Sequence, residues 1–248
     1  MTLSPREIVV LEGVAARAWP AMREERFGDW RLYATAGFSN RINACWPLGD
    51  PGRNIADAIT IVEDWYAAQG LRPLFKVVDG VADPRLTDAL SARGYRPRTE
   101  TLTMTVPLTG RAADPDVALA DTVDTAFLNL FASAVAARPG DARERLETLA
   151  RIPAPRAYAC LSVDGAPAAI GAVAVDGDRS GISAMRTSSA HRRRGLARRV
   201  LQTLAAFAAE AGAATAYLQV ETDNAGAIAL YRDEGFEEAY RYRYWSPA

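Results

Sequence analysis

Histidine, cysteine and lysine are nearly missing from this chain of 248 residues: His191, the pair Cys45 and Cys160, and Lys76 are the whole supply. With one histidine, neither a structural zinc site nor a Ser-His-Asp triad away from His191 can be assembled, so no metal is expected. The cysteines lie far apart in sequence and a cytosolic chain seldom keeps a disulfide, so both read as buried free thiols. No apolar run approaches the roughly 20 residues that cross a bilayer. The first residues lack a basic stretch followed by an apolar one, so neither membrane nor secretion is expected and the chain reads as cytoplasmic. An excess of one charge is missing too. The 29 basic and 30 acidic side chains give a net charge of −1, whereas a general nucleic-acid binder needs a basic surplus.

What is present is enough apolar sequence, 49% of the chain, to build a core and exclude disorder. Ser4-Pro5-Arg6-Glu7 fits a capping box, and Val9, Val10, Val14 and Ala18 continue a helix. Asp29 to Phe38 and Ile42 to Trp46 read as strands joined near Ser39-Asn40. Ile55 to Ala68 reads as a helix, Leu74 to Val78 as a strand, Pro84 to Ala92 as a helix and Tyr95 to Val106 as a long strand. Pro107 to Pro115 carries turn residues without periodicity and marks a boundary between domains at 1–108 and 116–248.

The second part reads helix, helix, three strands, helix, strand, helix, strand. Asp124 to Ala137 places Phe127, Leu128, Phe131 and Val135 on one face, and Asp141 to Ala150 follows. Tyr158 to Val163 and Ala168 to Val175 are joined through Asp164-Gly165, a hairpin signal. Gly181 to Thr187 is the third strand. Leu196, Val200, Leu201, Leu204, Phe207 and Ala211 form one stripe of a long helix that stops at Gly212. Thr215 to Val220, Ala225 to Glu234 and Phe236 to Trp245 complete the chain. The two parts echo each other. Helix, strand, helix, Gly94-Tyr95 and strand recur as helix, strand, helix, Gly235-Phe236 and strand, the pattern of a duplicated α/β unit.

The sharpest signal is Arg192-Arg193-Arg194-Gly195-Leu196-Ala197, set between a strand and the long helix. Unsatisfied N–H groups and a partial positive charge at a helix N-terminus suit phosphate, glycine admits close approach, and arginines add charged donors. The plainer reading is a solvated arginine cluster, although basic charge there opposes the helix dipole. The segment ends without Gly-Lys-Ser/Thr and is not a Walker loop.

With a second motif, Asn224-Ala225-Gly226-Ala227, Leu230-Tyr231 and Gly235-Phe236, the sequence from about Val117 to Trp245 resembles the GCN5-related N-acetyltransferases (GNAT). Ser189 departs from a proline common in that family. The resemblance implies an α/β fold of two fused GNAT-like units, each a mixed sheet flanked by helices, with the C-terminal unit complete and the N-terminal unit a degenerate copy. It implies acetyl-CoA as co-substrate. Met185, Arg186 and Thr187 would pair with the pantetheine arm, Arg192, Arg193, Arg194, Gly195, Leu196 and Ala197 would wrap the pyrophosphate, and Asn224 and Tyr231 would contact the cofactor. Tyr231 would act as general acid, because a phenol can protonate a leaving thiolate. A backbone N–H of the third strand would hold the oxyanion.

Glu221 is the candidate base, with an exposed loop carboxylate as its plainer reading. Tyr231 as a core aromatic, Asn224 as a simple helix cap and His191 as a solvated neighbour of the loop stand beside the functional readings. Gly37 to Asn43 is either an acceptor-pocket wall or an ordinary corner. The expected activity is direct acetyl transfer to a primary amine, with a small molecule favoured over protein, by a monomer or homodimer. The alternatives are a non-catalytic acyl-CoA-binding sensor and an arginine-mediated nucleic-acid binder. In the first part Leu90 stands opposite Tyr231 and Asp83 opposite Asn224, and Asp50 sits where a phosphate would be repelled, so one acetyl-CoA per chain is expected.

Overall fold

The computed structural model describes residues 3–134 and 140–248. Helix α1, Pro5–Ala18, starts at the expected capping box: the Ser4 side chain accepts from the Glu7 N–H, and Glu7 accepts in return from the Ser4 N–H at 2.8 Å. Strands β1, Arg23–Phe27, and β2, Trp30–Ala34, form a hairpin. A 3₁₀ turn at Asn40–Ile42 precedes β3, Cys45–Pro47. Helix α2, Ile55–Ala68, strand β4, Phe75–Val78, helix α3, Arg85–Ala92, and strand β5, Tyr95–Pro107, follow.

Strand β6, Val117–Ala120, opens the second part, then helices α4, Thr125–Ala134, and α5, Asp141–Arg151. Next come β7, Arg156–Val163, β8, Ala166–Asp176, and β9, Arg179–Thr187. Helix α6, Leu196–Glu210, strand β10, Thr215–Glu221, helix α7, Ala225–Asp233, and strand β11, Glu237–Pro247, complete the chain.

Four expectations need correction or limits. The strand expected from Asp29 to Phe38 ends at Ala34, and Ile42 lies in the 3₁₀ turn. The cause is Asn43, whose Oδ1 accepts from the N–H groups of Thr35 (2.7 Å) and Gly37 (2.9 Å) and so curls the segment back on itself. Strands β1 and β6 were not expected; they are the two edges of the sheet and most of their residues are exposed. Val135, expected on the fourth helix, lies outside the described residues.

All eleven strands join one mixed sheet in the order β1-β2-β3-β4-β11-β5-β10-β9-β8-β7-β6. The middle of that order is an exchange. Strand β5, which follows β4 and α3 in the chain, pairs with β10 and β11; β11, which follows β10 and α7, pairs with β4 and β5. The segment expected as a boundary, 107–115, therefore links two stretches of a continuous sheet.

The pleat sorts the core into layers. On β10, Tyr217 faces a cluster built with α1, α4 and α5, while Ala216, Leu218 and Val220 face one built with α6 and α7. On β4, Phe75 and Val77 face the cluster built with α2 and α3. Helices α1, α4 and α5 thus cover one face of the sheet along both parts of the chain. That layer also holds the only lysine: Lys76 is fully buried, ion-paired with the equally buried Glu12 of α1, which accepts from the Tyr240 hydroxyl at 2.6 Å.

Candidate active site

Strands β9 and β10 run parallel and are paired only where Thr215 to Tyr217 meet Arg179 to Gly181. Beyond that point β9 keeps β8 and β10 keeps β5, so the two strands part. A cavity of about 620 Å³ opens between them, walled by Ser183, Ala184, Met185 and Arg186 of β9 and by Gln219, Val220 and Glu221 of β10.

The wall on β9 carries a bulge. Ser183 pairs with Ala172 and Arg186 with Ile170, so Ala184 and Met185 together oppose Gly171, and Ala184 takes a positive φ of 55°. Gly171 makes the bulge possible: a Cβ there would sit 2.5 Å from the Met185 sulfur. A bulge takes backbone N–H groups out of the ladder, which is the kind of donor a developing oxyanion requires.

Helix α7 brings two side chains to the cavity. Tyr231 is buried against Phe236, with ring centroids 6.0 Å apart, and also lines the cavity. Its core role and its place at the cavity hold together. Burial pushes its phenol up to about 12, opposed by the Arg186 charge. Asn224 caps α7, accepting from the Ala227 N–H at 3.2 Å, and lines the cavity as well. Glu221, at the exposed end of β10, completes that side and makes no ion pair with another described residue.

Thr187 and the segment 192–197 lie outside the cavity lining. Arg192, Arg193 and Arg194 are exposed and make no ion pair with described residues, in contrast to Arg198, held by Asp233 (2.9 Å) and Glu234 (3.0 Å), and Arg199, held by Asp114 (2.5 Å). Gly195 caps α6 with φ 75° and no side chain, and a Cβ there would meet nothing within 4 Å. Arg198 donates the first helical bond, to the Gly195 carbonyl at 3.1 Å. The N–H groups of Leu196 and Ala197 thus have no acceptor inside the helix. His191 does not line the cavity.

The first part of the chain supplies the opposite wall: Phe38, Ser39, Asn40 and Arg41 of the 37–43 segment line the cavity. The segment is fastened by Glu144 of α5, a buried carboxylate that accepts from the N–H groups of Ala36 (2.6 Å), Phe38 (3.3 Å) and Ser39 (2.5 Å). Trp19, Phe131, Arg145, Tyr242 and Tyr244 also reach the cavity. None of these five was a candidate from sequence. Four of them sit in ordinary helical or strand patterns and Trp19 directly follows α1; only the tertiary packing brings them to the cleft.

This parting of parallel strands, with a bulged strand and an open helix N-terminus beside it, agrees with the fold that the resemblance to the GCN5-related N-acetyltransferases implies. Residues 6–245 match the family described as "Probable histone acetyltransferase Rv0428c C-terminal", and the chain belongs to that family and is an acetyltransferase. It is 25% identical over 245 residues to the "Uncharacterized N-acetyltransferase YobR" of Bacillus subtilis (strain 168), covering 96% of this chain and 98% of that one. Its fold matches a GCN5-related N-acetyltransferase from Kribbella flavida at a TM-score of 0.70 and 19% identity, over 100% and 96% of the two chains. It also matches a tandem GNAT protein from the clavulanic acid biosynthesis pathway at a TM-score of 0.60 and 17% identity, over 95% and 86%. Among the described residues no group of three or more His, Cys, Asp or Glu could hold a metal, and no helix is long and apolar enough to cross a membrane.

Proposed function

We propose that the chain transfers the acetyl group of acetyl-CoA directly to a primary amine of a small molecule. The observation that carries this reading is the placement of Tyr231 on the cavity between the parted ends of β9 and β10. The residues fit the donor. Gly195 leaves open the space that a Cβ would fill, the N-terminus of α6 has no side-chain cap, and the three arginines beside it make no ion pair with described residues. Arg192 to Ala197 hold the pyrophosphate, and the unpaired edge of β9 at Met185 to Thr187 receives the pantetheine amides. Acetyl-CoA supplies an activated acyl carbon and a thiolate leaving group.

Glu221 takes a proton from the incoming ammonium, directly or through water. The amine nitrogen then forms the N–C bond, the bulge N–H groups hold the carbonyl oxygen, and the C–S bond breaks. The Tyr231 hydroxyl gives its proton to the departing sulfur, and the second proton that the nitrogen sheds on becoming an amide returns the phenolate to a phenol. A phenol raised to about 12 lies some 3.5 units above a free thiol, a mismatch of about 5 kcal/mol. The same desolvation raises the proton affinity of the thiolate, which narrows that gap.

In this reading residues 116–248 form the catalytic GNAT unit and 1–108 a degenerate copy that lends the cavity wall. Calorimetry should show acetyl-CoA binding, and a panel of primary amines should include at least one that drives release of CoA thiol. Absence of acetyl-CoA binding, or binding without thiol release for every amine tried, would overturn it.

A further inference from the structure

We propose that the acceptor carries a carboxylate besides its amine, and that Arg41 and Arg186 hold that carboxylate; this rests on the acetyl-transfer reading above. Three guanidinium groups line the cavity: Arg41 from the 37–43 segment, Arg145 from α5 and Arg186 from β9. Only Arg145 has a carboxylate of its own, Asp141 at 2.6 Å. Neither Arg41 nor Arg186 is ion-paired with any described residue. Arg186 gives one N–H to the Met185 carbonyl at 2.8 Å and lies over the Phe131 ring at 5.6 Å. Its remaining donors are unassigned in a half-buried setting where burial and the Arg145 charge both disfavour its cation. Burial works against both cations; at Arg41 it is outweighed by Tyr242, Tyr244, Tyr217 and the Glu12 carboxylate, and at Arg186 it is offset only in part by Tyr231 and Glu221. Among the described residues no carboxylate touches either guanidinium, and one that did so would form strong, geometrically specific bonds.

The arrangement is also held in advance. Glu144 fastens the backbone on the N-terminal side of Arg41, and the Trp46 indole donates to the Arg41 carbonyl at 3.2 Å. A site fixed before binding loses less on closure. The unpaired carboxylate on the lining is Glu221, so the cavity presents cations for a carboxylate and one anion for an ammonium. That is the charge pattern of an amino acid. A lysine-rich protein tail would bring further cations to Arg41 and Arg186.

The test uses amino acids of increasing length between amine and carboxylate, each with its matching carboxamide, and a lysine-rich histone-tail peptide. Thiol release and calorimetric binding in the presence of CoA are both read. Free acids should exceed their carboxamides in kcat/KM and in affinity by at least about tenfold. Arg41→Gln should collapse that ratio to within about threefold, and Arg41→Lys should restore part of it. Carboxamides or the peptide served as well as the acids, or a ratio unmoved by Arg41→Gln, would overturn the carboxylate site while acetyl transfer stands. Acids bound selectively without thiol release would support the site and overturn transfer. No binding and no turnover across the panel would overturn both.

Discussion

Two clefts lie at matching places in the repeated sequence pattern, one in each part of the chain, and they differ sharply in chemistry. The first part opens a cleft of about 710 Å³ beside the ends of β4 and α3; the second opens the cavity beside β10 and α7. The helix ends that start each unit's helix near these clefts are opposites. Helix α2 is closed by its own sequence: Asn54 accepts from the Asp57 N–H at 2.9 Å, and Asp57 adds negative charge to the first turn. Helix α6 starts on Gly195, without a side-chain cap or an acid in its first turn. In the first cleft Arg85 is bound to Asp83, and this pairing holds the Asp83 carboxyl down near 2, with Asp50 and Asp79 close by. Beside the second cavity Arg192, Arg193 and Arg194 make no ion pair with described residues. In the proposed reading a phosphate site forms only where the helix end and its arginines are left unspent.

The largest break in this contrast should come from Gly195→Val. The wild-type φ of 75° is strained for valine, and the side chain would fill the space beside the free N–H groups of α6. Acetyl-CoA affinity should fall by at least about a hundredfold with the circular dichroism spectrum unchanged. Calorimetry of near wild-type strength would place the pyrophosphate elsewhere.

Tyr231→Phe should lower kcat by about a hundredfold while leaving acetyl-CoA binding intact. The pH dependence sharpens the test. The general acid must be protonated to act, and burial raises its phenol to about 12, so Tyr231 stays competent throughout the neutral and mildly alkaline range. Its loss should therefore impose no falling limb on the rate profile below that point. A wild-type profile that declines near pH 10 and flattens in the phenylalanine variant would show a phenol titrating in water instead. A smaller effect, about tenfold in affinity, should follow from replacing Arg192, Arg193 and Arg194 together by glutamine. The salt dependence of acetyl-CoA binding should shrink with it. Unchanged salt dependence would mean that the three arginines are only a solvated face.

Local signals in the sequence were legible wherever local chemistry decides the outcome. The capping box at Ser4, the Asn224 cap, the Asp164-Gly165 turn with φ of 51° and 77°, and the stripe of α6 all stand where periodicity and turn residues put them. Edge strands β1 and β6 were hidden because an exposed strand need not alternate. Which strands neighbour β5 and β11 was hidden as well. Both follow a helix and a Gly-aromatic pair, and only tertiary pairing makes them exchange places. The cavity wall at residues 38–41 was hidden for the same reason: Glu144 reaches the 36–39 backbone across more than a hundred residues, and no short motif records such a contact.

The smallest expected effect tests whether the closed helix end alone silences the first cleft. Asn54→Ala removes the cap from α2 and frees the Asp57 N–H, which should cost about 1 kcal/mol of stability in urea unfolding. It should not create a second binding site. Asp57 stays in the first turn, Asp50, Asp79 and Asp83 still face the cleft, and Leu90 in place of a tyrosine is fully buried in the α2–α3 core. Titration of Asn54→Ala with acetyl-CoA should therefore still saturate near one equivalent per chain. Combining it with Gly195→Val should leave no binding at all. A second equivalent in the single variant, or residual binding in the double, would show that the cap had been the only barrier and that the first part keeps a working phosphate cradle beneath it.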